Sequence, residues 1–136
     1  GLDERGLVDV PIEETVACAH QAGALAVIAH PGRDDGWGYL RANELNELYA
    51  EVPFDGVEAH YSSYTVNDTR LYRGWAQEND RVVSAGSDSH RLRYPVDPIP
   101  YKAVWVRDLL ARLGYSVEEV EGPAWLPTTA AAASGS

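Results

Sequence analysis

Three short segments of this sequence place residues that bind metal or phosphate at the end of an apolar run: Ala29-His30-Pro31-Gly32-Arg33, Gly56-Val57-Glu58-Ala59-His60 and Gly86-Ser87-Asp88-Ser89-His90. Asp88 and His90 are two apart, so on an extended backbone both side chains project the same way. Such a pair can hold one or two metal ions through carboxylate oxygen and imidazole nitrogen. His30 ends its apolar run directly before Pro31-Gly32, a poor place to pack an imidazole and a good one to ligate with. Asp-x-His alone also fits a loop-capping carboxylate beside a surface histidine; His30, Asp88 and His90 together favour a metal site.

Around these candidate ligands stand residues suited to substrate and proton handling. Arg33, just past a glycine in the turn after His30, could grip a phosphate in bidentate fashion, or pair with Asp34 or Asp35. Glu58 could ligate a metal, orient a histidine or pair with an arginine in the interior, and the reading favoured is the carboxylate that orients a histidine. His60 could give a proton to a leaving group, or sit as a neutral histidine in a strand wall. Tyr61, Ser62, Ser63 and Tyr64 form a polar, aromatic rim suited to a base or sugar and equally to solvent. The sequence has no Gly-x-Ser-x-Gly elbow, no glycine-rich phosphate loop with lysine and no Cys-x-x-Cys pair. Metal-assisted hydrolysis is the chemistry that remains.

Alternating helix and strand must position these residues. Pro11 with Glu13 and Glu14 starts a helix that stops at Gly23, and a strand follows over 24–30. Leu40, Leu45, Leu48 and Tyr49 recur at helical spacing before a second strand over 54–60. A helix from Val66 to about Glu78 precedes a third strand, 81–85, and 103–113 reads as a last helix capped by Gly114. Units of this kind imply parallel strands joined by right-handed crossovers. Period-two geometry puts His30, Glu58, His60, Asp88 and His90 on the side opposite the larger apolar residues. A polar face ringed by helices fits an α/β barrel segment better than a doubly wound sheet, whose faces are both apolar.

The chain has 136 residues, of which 45% are hydrophobic, enough for one core. Residues 1–120 are read as one unit and 121–136, rich in Ala, Ser and Thr, as a disordered tail. A formal charge of −10 argues against broad electrostatic binding to nucleic acid. The one cysteine, Cys18, excludes an internal disulfide and fits a reducing cytoplasm. No apolar run approaches the ~18 residues that span a bilayer, so no membrane partner is expected. With no methionine, the sequence reads as a piece of a longer product.

The order HPGR, GVEA and GSD-x-H, carried by His30 to Arg33, Gly56 to Ala59 and Gly86 to His90, resembles the later motifs of the PHP (polymerase and histidinol phosphatase) family. The likeness runs from about Val10 to Leu113. It is greatest to the branch of small phosphoesterases that act on nucleotides and RNA ends. The resemblance implies the carboxyl-terminal half of a distorted (βα) barrel with two or three divalent ions, manganese, zinc or iron, at the strand ends. It implies His30, Asp88 and His90 as metal ligands, Arg33 as the phosphate contact, and hydrolysis of phosphate esters by a metal-bound hydroxide. The family's opening motif, Asp-Leu-His-x-His, is absent. Ser89 stands where phenylalanine is common, and His60 and Tyr64 where tyrosine and histidine are frequent. The missing half-barrel or self-association is therefore an expected partner, beside a phosphorylated nucleotide or short nucleic acid. Two rival readings stay open: a non-catalytic metal-binding or interaction module, and a histidinol- or sugar-phosphate monoesterase.

Overall fold

Helix and strand alternate along the chain in a computed structural model, which describes residues 10–33, 39–89, 99–117 and 128–129. The order is α1 (Ile12–Gln21), β1 (Val27–Ile28), α2 (Ala42–Glu51), β2 (Gly56–Tyr61), α3 (Val66–Glu78), β3 (Val82–Gly86), a 3₁₀ helix (Ala103–Val106), α4 (Arg107–Arg112), β4 (Tyr115–Ser116) and β5 (Thr128–Thr129). β1, β2 and β3 form a parallel three-stranded sheet in that order. The fold is mixed α/β.

One face of the sheet carries the core. Val57 and Ala59 from β2 are buried with Val16 of α1, Leu45 of α2 and Tyr72, Trp75 and Ala76 of α3, so all three helices lie on that face. Phe54 stacks on Trp75 with ring centroids 5.5 Å apart, and Tyr49 meets both rings edge-on. Fully burying side chains such as Phe54, Leu45 and Val57 contributes roughly 1.5–3 kcal/mol each. Local signals place α3: Thr65 and Asp68 cap its start reciprocally, in the pattern that satisfies two orphan N–H groups.

Asp55, just before β2, ties the other end of the sheet. Its carboxylate accepts the Ala26 N–H at 2.7 Å and lies 2.7 Å from His20 Nε2 and 3.7 Å from Arg112. Its backbone bonds to Ala26 on one side and Val82 on the other. Burial pushes this carboxyl up, but the Ala26 N–H, His20 and Arg112 pull further down, so it lies below the ordinary carboxylate value.

Three expectations change. The first strand is two residues long, not seven, because the Ala26 N–H goes to the Asp55 side chain and His30 turns to φ 29°. The last helix opens with a 3₁₀ turn before it becomes α-helical. Thr128–Thr129, inside the stretch read as a tail, pairs antiparallel with Tyr115–Ser116. The remainder of 121–136 lies outside the described residues, as does His90.

β2 also breaks its period. Glu58 pairs with Ser84, but His60 pairs with Ala85 and Tyr61 with Gly86, so Ala59 is one residue too many. This bulge shifts the alternation. His60 falls on the face of Val83 and Ala85, toward α3, while Tyr61 joins the face of Glu58 and Ser84.

Candidate active site at the strand ends

Parallel strands bring their carboxyl ends to one side, and there the chain collects His30, Arg33, Tyr61 and Asp88. Asp88 is the centre. Its Oδ2 accepts from Arg33 Nη1 at 2.5 Å and from the Tyr61 hydroxyl at 2.7 Å. Its Oδ1 faces His30 Nε2 at 4.0 Å. The His30 and Tyr61 rings lie 5.3 Å apart. Arg33 therefore pairs with Asp88, 55 residues away in the chain.

The backbone at the two candidate ligands is unusual. His30 has φ 29° and Asp88 has φ 50°, in the left-handed region that non-glycine residues seldom enter. The His30 turn is fixed from several sides. Its N–H donates to Glu58 Oε2 at 2.7 Å, and its carbonyl accepts from the Arg33 N–H at 3.0 Å. Tyr64 Oη accepts the Gly32 N–H at 2.7 Å. Gly32 is required because a Cβ there would press into the Tyr72 ring. Burial pushes the Tyr64 phenol up, so it stays protonated.

Glu58 holds the backbone of His30, not its ring. The carboxyl is buried beside Gly86, where a Cβ would collide with Glu58 Oε1. Burial pushes Glu58 above its ordinary value, against the His30 N–H and the His30 charge, and Asp88 adds to the rise. The expectation that Glu58 orients a histidine thus finds its counterpart at a main-chain amide.

His60 does not reach this cluster. Its ring stacks on Trp105 at 4.8 Å, and Arg73 Nη1 lies 2.9 Å from its Nε2 while also donating to the Trp105 carbonyl. Burial, then the Arg73 charge, hold its imidazole below the ordinary value, so it is neutral and accepts from Arg73. The period-two reading that set His60 beside Glu58 is corrected by the bulge, and the proton-donor position it implied belongs to a residue turned away.

Tyr61, which sequence reasoning left in a rim loop, lies on the Glu58 face instead and donates to Asp88 Oδ2. Its hydrogen bond to Asp88, burial and the carboxylate charge push the phenol up, so it is a donor at neutral pH. Ser62 and Ser63 are exposed, whereas Tyr61 and Tyr64 are half-buried and stand 5.4 Å apart.

The donor set fits one divalent ion in part. Two ligands each about 2.0–2.2 Å from an ion lie no more than about 4.4 Å apart, and His30 Nε2 and Asp88 Oδ1 satisfy that limit. Among the described residues, no three His, Cys, Asp or Glu side chains gather in a group that could hold a metal. None of the described helices is long and apolar enough to cross a membrane. No model of a known protein family matches this chain, and no curated protein matches its sequence significantly.

Proposed function

We propose that this chain is the carboxyl-terminal portion of a PHP-type metallophosphoesterase barrel that hydrolyses phosphate esters of nucleotides or RNA ends. The observation that carries this reading is the convergence of His30, Arg33 and Asp88 at the carboxyl ends of β1 and β3, the outer strands of the parallel sheet. The consecutive strand order and the helices gathered on one face support a barrel segment over a doubly wound sheet.

In this reading His30 and Asp88, with His90, hold a divalent ion. When bound, that ion supplies Lewis acidity and an acidified water. Arg33 leaves Asp88 to take the substrate phosphate and offset charge as it develops. Glu58 keeps the His30 turn in place through the backbone. His60 has no part in the chemistry; it anchors the 3₁₀ segment to α3 through Trp105 and Arg73.

A second reading, a non-catalytic metal-binding module, draws on the two-donor set among the described residues. One experiment separates them. Metal-stripped protein is titrated with Mn²⁺ by electron paramagnetic resonance. Phosphate release is then followed from a nucleoside bisphosphate, a 5′-phosphorylated short RNA and a sugar phosphate, using this chain and the longest natural product that carries it. Mn²⁺ binding lost in Asp88→Ala, with release from the nucleotide or RNA, is the expected result. Binding without release favours the module, and release from the sugar phosphate alone favours the small-molecule phosphatase. No Mn²⁺ binding by the unaltered chain overturns both metal readings.

A further inference from the structure

Asp88 divides its two oxygens between two tasks. Oδ1 points to His30, and Oδ2 accepts from both Arg33 and Tyr61. The two donors differ in kind. Arg33 is a cation with five N–H groups on a long, jointed stem, and a phosphate is a better match for its planar fork than one carboxylate oxygen. Tyr61 has one hydroxyl on a rigid ring, held at a fixed place by the β2 ladder and packed against His30 and Tyr64.

We infer that Tyr61 is the positioning residue of this site: its hydroxyl holds Asp88 Oδ2 so that Oδ1 stays aimed at the ion position beside His30 when Arg33 transfers to substrate. The inference rests on the metal reading proposed above. It follows from geometry that sequence parity conceals, since the Ala59 bulge is what turns the Tyr61 ring to the Asp88 side and the His60 ring away.

A carboxylate with one oxygen tethered has lost most of its rotational freedom before the ion arrives, so less is left to lose on ligation. Partners that hold a ligand from outside commonly contribute 10-fold to 100-fold to metal affinity.

The test compares Mn²⁺ affinity, read by electron paramagnetic resonance of the free ion, in the unaltered chain, Asp88→Ala, Tyr61→Phe and Tyr61→Leu. Tyr61→Phe keeps the ring contacts and deletes only the hydroxyl; Tyr61→Leu removes the donor by a different route and stands in if the first variant fails to fold. Circular dichroism confirms folding of each. The expected result is a loss of affinity of about tenfold or more in the Tyr61 variants, and no measurable binding in Asp88→Ala. Affinity within twofold of the unaltered chain in a folded Tyr61 variant, while Asp88→Ala abolishes binding, overturns the positioning role and leaves the metal reading intact. Binding unaffected by Asp88→Ala overturns the metal reading and this inference with it.

Discussion

His60 and Tyr61 are neighbours in sequence that serve opposite faces of the sheet: His60 Nε2 lies 2.9 Å from Arg73 Nη1 on the helical side, and the Tyr61 hydroxyl lies 2.7 Å from Asp88 on the other. A strand always alternates, but here the bulge at Ala59 decides which residue faces which side. An imidazole therefore packs against a helix, and a phenol meets the carboxylate.

His60→Phe is expected to leave Mn²⁺ binding unchanged, because the ring faces away from His30 and Asp88. The pH dependence of stability should change instead. The folded pKa of His60 is depressed, so the stability contributed by its neutral form is fully present above the ordinary value of 6.5 and is lost as pH falls through the folded value. Urea denaturation between pH 7 and pH 5 should show the unaltered chain losing stability that His60→Phe does not lose.

Asp55 has the opposite chemistry and the same sign of dependence. Its folded pKa lies below 3.8, so its contribution is full above that value and disappears as pH falls through the folded one. Asp55→Asn should cost about 1–3 kcal/mol at neutral pH, and the gap should close in denaturation curves taken at progressively lower pH toward 3. A gap that is independent of pH would contradict the charge-assisted tie to His20 and Arg112.

Two glycines should respond in opposite directions. Gly86→Ala drives a methyl into the Glu58 carboxylate and should destabilise by about 1–3 kcal/mol, with loss of the Glu58 bond to His30. At Gly74, in the middle of α3, a Cβ would meet nothing within 4 Å, and Gly74→Ala should stabilise by about 1 kcal/mol. Thermal denaturation of the two variants reads both signs.

Asp80 closes α3 with φ 52°; its N–H bonds to the Gln77 carbonyl and that of Arg81 to Ala76. α1 ends the same way around Gly23, where no side chain resists the left-handed turn. Asp80→Gly should therefore raise stability by about 0.5–1 kcal/mol, measured by urea denaturation.

Much of this is legible in residue spacing. The α3 helix runs from Val66 to Glu78, as the recurrence of Leu71, Trp75 and Ala76 on one side predicts. His30, Arg33 and Asp88 meet at the strand ends because parallel strands deliver such segments to one side. The bulge is hidden because Ala59 is as small and apolar as any strand residue, and counting by two runs straight through it. The Arg33–Asp88 pair is hidden too, since Asp34 and Asp35 are nearer in sequence. Asp55 gives no sign beyond a single acid between Phe54 and Gly56, and its role depends on Ala26, His20 and Arg112, which only the fold assembles.

β1 and β3 share no hydrogen bonds, because β2 lies between them. Arg33 and Asp88, one beyond each outer strand, reach across the middle strand and fasten the two edges like a clasp. On the function proposed above, an anion that drew Arg33 away would open the clasp, and a cation bridging His30 and Asp88 would close it again. Occupancy at this end of the molecule would then be coupled to the cohesion of its outer strands, across the width of the sheet.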